Sequence, residues 1–276
     1  MRRQHCSTGW AAAPVREIDI SDQLLPRHHE VMRCLRLLAQ QVDTSQWCLV
    51  GGLMVLVVAR DAGRTNARAE GTKDGDIVVD VAAEPNILAN VAYTLRSLGY
   101  DYPENTHPTD ILHSEVPLRD AFARCTFVSG NAQLDVLAPD DAPLDRLDVG
   151  TELRTISIPG GRRALTGSEL TSIYYAHDAA DVVIRVPSLT GAICVKAAAA
   201  VDLRTAAQPR HGQDVAFMLT CIDDPIAAAD ELDHNDRTLL AEFRQQLGSG
   251  DGAPWRFLIN EEQARAMAAL DFLVAD

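Results

Sequence analysis

Aromatic side chains are scarce in this sequence, only 5% of 276 residues, while alanine is plentiful. That balance speaks against a core built on stacked rings and for helices packed closely together. A CxxC pair is also missing. The six cysteines (Cys6, Cys34, Cys48, Cys125, Cys194, Cys221) are scattered, and most lie inside apolar runs. They read as small buried hydrophobes in a reducing compartment, not as a disulfide or zinc framework. Positive charge is in deficit: the formal net charge is −14, which speaks against non-specific coating of nucleic acid but leaves room for one local basic groove. No stretch approaches 18 uncharged apolar residues. The nearest, Val186 to Val201, contains Pro187 and Lys196. The opening MRRQHCSTGWAAAP has two arginines but no apolar core for a signal peptide. The expectation is a soluble, cytoplasmic protein with no membrane partner. An apolar share of 47% is ordinary for a folded chain, and the length has room for one large domain or two small ones.

What is present concentrates between Trp47 and Val81. A short apolar run, Trp47-Cys48-Leu49-Val50, stops at Gly51-Gly52. A helix-length apolar run follows, then an arginine-bearing loop, then a strand entered through Asp74-Gly75-Asp76. Successive strand side chains point to opposite faces, so Asp74 and Asp76 share one face about 6.6 Å apart along the chain. Two carboxylates held that way repel each other unless solvated or bridged by a divalent cation. A glycine pair at a strand-to-helix turn leaves backbone amides open to an anion. These residues together suggest a metal–anion site.

Along the chain, residues 1–15 are expected to form a loose tail. An amphipathic helix is predicted within Ile20–Gln41, starting near Pro26 with Asp22 as its cap. His28-His29-Glu30 within it lacks the second histidine of a zinc-protease helix and reads as a solvated face. Strands are predicted at 47–50 and 77–81, with helices at 53–61 and 85–98, the last ended by Gly99. The loop 100–120 holds His107, Asp110 and His113, a metal trio by residue type only; spacing in a loop says little, so an ordinary loop is favoured. Strands at 121–128 and 132–138 flank a Ser129-Gly130-Asn131 turn. In the second strand Asp135 is a lone charge among apolar neighbours. It is either paired, metal-bound or turned to water at an edge, and the nearby acids favour the metal.

A hinge is expected around Pro159-Gly160-Gly161. Short extended pieces follow at 171–175 and 182–186, then a serine-capped helix at 188–206. Lys196 falls on the apolar stripe of that helix. It either snorkels out or points at an anion, and with an acidic site in the other half the anion is favoured. A further helix is predicted at 213–222 with Asp214 in its first turn, where an acid suits the helix dipole. Helices at 227–247 and 261–273 complete the chain. The fold class is therefore α+β. A loose tail at 1–15 precedes a mixed-sheet domain over 16–165 and a mainly helical domain over 166–276.

Gly51-Gly52, then Lys73-Asp74-Gly75-Asp76, then Asp135 on a later strand resembles the DNA-polymerase-β-like nucleotidyltransferase superfamily. Lys196, Arg204 eight residues on, and Asp214 on the next helix look like the AbiEii/MenT group of toxin nucleotidyltransferases. The resemblance spans roughly residues 45–222. It implies two Mg²⁺ ions held by Asp74, Asp76 and Asp135, and an NTP triphosphate on Gly51 and Gly52 with Lys73 and Arg204 close by. Lys196 would contact phosphate, and Asp214 would orient Lys196 or the acceptor. The implied reaction moves an NMP to an acceptor hydroxyl, tRNA in the toxin group, under control of a cognate antitoxin. Two positions depart from the pattern. Leu53 stands where the group has a hydroxyl residue after the glycine pair, and Phe217 where it has a second acid after Asp214. The departures keep open a small-molecule acceptor, or a binding module without turnover.

Overall fold

A computed structural model describes residues 15–65, 74–102, 125–143, 155–176, 181–202, 208–247 and 252–275. The fold is α+β: a mixed sheet flanked by helices in the N-terminal part, and a distinct helical region at the C-terminal end. Lys73, Arg204 and the 103–124 loop with His107, Asp110 and His113 lie outside the described residues.

The main sheet is built on a parallel pair, β3 (Gly75–Val79) beside β5 (Ala132–Pro139). β2 (Trp47–Val50) runs antiparallel to the outer side of β3, and β4 (Cys125–Ser129) antiparallel to β5. The two-residue β6 (Ser157–Ile158) joins the far end of β5. β4 and β5 form the expected hairpin, with Gly130 at φ 57, a conformation that costs a glycine nothing. β2 and most of β3 and β5 are buried on both faces, which explains why they read as near-continuous apolar runs with few breaks. Asp76 and Asp135 are two of those breaks.

Two helices pack on this sheet, α1 (Pro26–Ala39) and α2 (Gly51–Asp61), and α3 (Ile87–Ser97) packs on α1. α1 begins at Pro26 as expected, since proline at N1 forfeits no helical hydrogen bond. Its cap is Leu25, not Asp22: the Leu25 N–H donates to His28 Nδ1 at 3.2 Å. His28 is thus fully buried rather than on a solvated face, because its ring turns inward to close that cap. α3 ends with Gly99 at φ +84, the left-handed residue the sequence points to.

A second, three-stranded sheet has the order β1 (Arg16–Asp19), β7 (Ser168–Tyr174), β8 (Asp181–Pro187). β1 pairs in parallel with β7 from Arg16↔Thr171 to Asp19↔Tyr174, so strands from both sides of residue 165 share this sheet. Between the sheets, α4 (Gly161–Thr166) is capped by Gly160, whose φ of 73 lies in the left-handed region. From Leu189 on, the described residues form helices joined by turns. α5 (Leu189–Val201) takes Ser188 as its cap, whose Oγ accepts the Gly191 N–H. α6 (Gln208–Thr220), α7 (Pro225–Asp230), α8 (His234–Leu247) and α9 (Asn260–Leu273) follow. The single helix expected over 227–247 is two, because Asp224 caps a short α7 and the chain turns again before His234.

Candidate metal centre

Registration of β3 on β5 places Asp76 directly beside Asp135, and Thr126 of β4 faces Asp135 from the other side. Val50, the last residue of β2, pairs with Asp76 on its free flank. One row across four strands therefore reads Val50, Asp76, Asp135, Thr126. Two residues earlier on the same face, Asp74 sits just ahead of β3 and Gln133 lies on β5. Parallel neighbours are about 4.8 Å apart, so three carboxylates converge on a small space.

One oxygen from each of Asp74, Asp76 and Asp135 lies within 4.8 Å of the others. Carboxylate oxygens are hard ligands suited to Mg²⁺, Mn²⁺ or Ca²⁺. Two oxygens across one Mg²⁺ sit at most about 4.2 Å apart, and across Ca²⁺ about 5 Å. Separations of up to 4.8 Å lie within the Ca²⁺ span and slightly above the Mg²⁺ span, so the three residues fit a divalent cation. Asp135 is fully buried, while Asp74 and Asp76 are half-buried and give the site an open side. The lone charge in an apolar strand is thus neither an exposed edge nor a packing accident. Burial of a carboxylate is costly unless it is hydrogen-bonded or cation-bound. Thr126 supplies one partner, its Oγ1 donating to Asp135 Oδ1 at 2.7 Å.

The glycine pair meets this acid row directly. Gly51 has φ +71, and a Cβ there would fall 1.8 Å from Asp76 Oδ2. Only a residue without a side chain lets the β2–α2 turn pass this close to the carboxylate. Gly75 answers a crowd on the opposite face, where a Cβ would lie 2.5 Å from Val31 Cγ1 of α1. The middle position of the Asp-x-Asp motif is therefore held to glycine by helix packing, not by the ligand. Gly52 is half-buried in the first turn of α2. Leu53 is fully buried and faces the core, so it offers the site no side chain.

Lys196 does not snorkel. It is 5% exposed, and its Nζ lies 3.0 Å from Asp214 Oδ2, with Asp214 7% exposed. Asp214 belongs to the middle of α6 rather than its first turn, so the expected dipole role is corrected. The helix starts earlier than the glycine at 212 suggests. Pro209 fits a first helical turn, and Gly212 is there because a Cβ would press on Pro254 at 3.0 Å. α2, which begins at Gly51, packs on both α5 and α6, so one helix links the acid row to the elements carrying Lys196 and Asp214. Phe217 packs partly buried against the core.

Two residues of the site escaped sequence reasoning. Gln133 donates from Nε2 to Asp135 Oδ1 at 3.2 Å, with a longer contact of 3.5 Å to Asp74 Oδ2, and Thr126 holds Asp135 as described. Gln133 has a usable signal: it lies two positions before the suspected acid, on the same strand face. Thr126 has none without the β4–β5 register.

No protein-family model matches the chain, and no curated protein and no solved structure matches it. Fold and site together define an α+β protein with a three-carboxylate centre able to coordinate a divalent metal, consistent in general with a nucleotidyltransferase-like fold. No helix among the described residues is long and apolar enough to cross a membrane.

Proposed function

We propose that the protein is a Mg²⁺-dependent nucleotidyltransferase that moves an NMP from an NTP to an acceptor hydroxyl and releases pyrophosphate. The observation that carries this reading is Asp76 beside Asp135, with Asp74 within 4.8 Å and the Gly51 backbone pressed against Asp76. Asp74, Asp76 and Asp135 would hold two Mg²⁺ ions. Bound there, the metal lowers the acceptor hydroxyl's pKa and neutralises charge on the departing phosphates. The Gly51-Gly52 turn would seat the triphosphate through backbone amides, with Lys73 and Arg204 beside it. Asp135 lies deepest and would face the acceptor. The acceptor oxygen bonds to the α-phosphorus, and the bond to the bridging oxygen breaks. Its electron pair leaves with pyrophosphate, and the hydroxyl proton passes to Asp135. Lys196 would contact phosphate, and its ion pair with Asp214 supports a role for Asp214 in orienting it.

The catalytic unit in this reading is 16–165, joined to the helical unit 166–276 through the β1-β7-β8 sheet. The biological role is that of a cytoplasmic toxin of a bacterial toxin–antitoxin system, with tRNA as acceptor and an antitoxin protein as partner. One observation favours a second reading. Leu53 is buried in the core, so a side-chain contact to phosphate expected of the toxin group is absent. That suits a small-molecule acceptor, or nucleotide binding without turnover.

Incubation with each labelled NTP, Mg²⁺ and total RNA, then separation of RNA, protein and small molecules, tests both. Label on tRNA, lost in Asp76→Ala together with growth arrest on expression, is the expected result. Label confined to a small acceptor removes the toxin reading. Transfer at the wild-type rate by a folded Asp76→Ala variant removes the site.

A further inference from the structure

The parallel register that pairs Gly75 with Leu134 and Asp76 with Asp135 sets Asp74 against Gln133 when extended by one residue. The site is thus a two-strand square whose corners are three carboxylates and one carboxamide. Both contacts from Gln133 run to carboxylate oxygens, which only accept, so its NH₂ group and not its carbonyl must face them. A fourth carboxylate at this corner would add to the repulsion. An apolar residue would leave Asp74 and Asp135 without a shared donor.

We infer that Gln133 is a positioning residue that holds Asp74 and Asp135 at cation-binding distance, with Thr126 holding Asp135 from the opposite strand. This rests on the acid row being a metal site. The amide spans the gap between β3 and β5 and ties the half-buried Asp74, which precedes the paired strand, to the fully buried Asp135. Thr126 Oγ1 and Gln133 Nε2 both donate to the same Oδ1 of Asp135, which sets the rotation of its carboxylate. Donors of this kind orient metal ligands, and their loss typically weakens metal affinity about 10–100-fold.

The test uses Mn²⁺ alone as probe, with the full chain and no nucleotide. Its binding isotherm is read from the EPR signal of the free ion, alongside thermal melts with and without Mn²⁺. Gln133→Leu and Thr126→Val should each weaken Mn²⁺ binding about 10-fold or more and shrink the Mn²⁺-dependent rise in Tm. A merely structural role would lower the metal-free Tm and leave the isotherm of the folded protein unchanged. Gln133→Met keeps the length of the side chain without its donor, and stands in if the leucine variant does not fold. Wild-type Mn²⁺ affinity in a folded Gln133 variant overturns the inference while the acid site stands. Failure of the wild-type protein itself to bind Mn²⁺ overturns the metal site, and the inference with it.

Discussion

Gly51 and Asp76 approach so closely that a methyl group on the glycine would occupy the position of the Asp76 carboxylate, with 1.8 Å between its Cβ and Oδ2. The glycine is also at φ +71, in the left-handed region. Two separable effects therefore meet at one residue: backbone strain, and eviction of a metal ligand.

Gly51→Ala should lose about 1–3 kcal/mol through backbone strain, and should also lose divalent-cation binding because Asp76 must swing away. Gly63→Ala supplies the control. Gly63 has φ +68, but nothing lies within 4 Å of the Cβ it would gain. It should show a similar strain cost and unchanged Mn²⁺ affinity. Urea unfolding with Mn²⁺ titration distinguishes the two. Equal Mn²⁺ affinities in the two variants would remove Gly51 from the site.

The Lys196–Asp214 pair is buried, at 6% and 10% side-chain exposure. Removing one partner strands the other, so Lys196→Met or Asp214→Leu alone should cost about 3–5 kcal/mol. The double variant should recover most of that, since a well-packed apolar pair can replace a buried ion pair at little net cost. If Lys196 also serves phosphate, the stable double variant still fails to gain thermal stability from added NTP. A double variant that is stabilised by NTP like the wild type would confine the pair to a structural role.

Four described cysteines, Cys34, Cys48, Cys194 and Cys221, are buried and form no disulfide. Burial pushes the Cys34 thiol from an ordinary 9.0 up to about 12 and the Cys221 thiol up to about 11, and raises Cys48 and Cys194 as well. At pH 8 all four should resist a thiol reagent until the chain is unfolded. Because the folded values lie above the unfolded one, the native state binds more protons from pH 9 upward. The stability from keeping these thiols neutral is fully present below pH 9 and falls as pH rises through 11 and 12. Urea midpoints at pH 8 and pH 10 should show the decline, and a midpoint that rises with pH would contradict it.

Much of the site was legible because strand chemistry is local. Period-two alternation puts Asp74 and Asp76 on one face whatever the partner strand, and Asp135 stands out as a charge in an apolar run. The glycine pair is legible for a similar reason: a strand followed directly by an apolar helix needs a tight turn. Thr126 is not legible, because polar residues in strands are common and only the register of β4 on β5 gives it a partner. Gln133 is legible in part: its place two residues before Asp135 puts both on one face, while its contact with Asp74 needs the register of β3 on β5. A slip of one residue would turn Asp135 away from Asp76.

Elsewhere the structure departs from the sequence pattern for other physical reasons. The start of α6 was obscured by Pro209 and Gly212, two residues that usually mark breaks. Here one fits a first turn and the other makes room for Pro254. β1 carries no strand signal of its own: its four residues, Arg16–Asp19, become a strand only by pairing with Thr171–Tyr174, far along the chain. His28, without a second histidine to make a metal motif, reads as part of a solvated face, whereas its ring caps the helix from within.

By itself, then, the amino-acid order determined the α+β class, the strand-to-helix glycine turn and the identity of the three carboxylates. These follow from periodicity and from the conformational freedom of glycine, both local properties. Tertiary structure alone decided that Asp135 stands beside Asp76, that Gly51 touches Asp76, and that Lys196 is neutralised by Asp214. Each of those joins residues distant in sequence. Such pairings are selected by burying apolar faces together, a property of the whole chain rather than of any window within it.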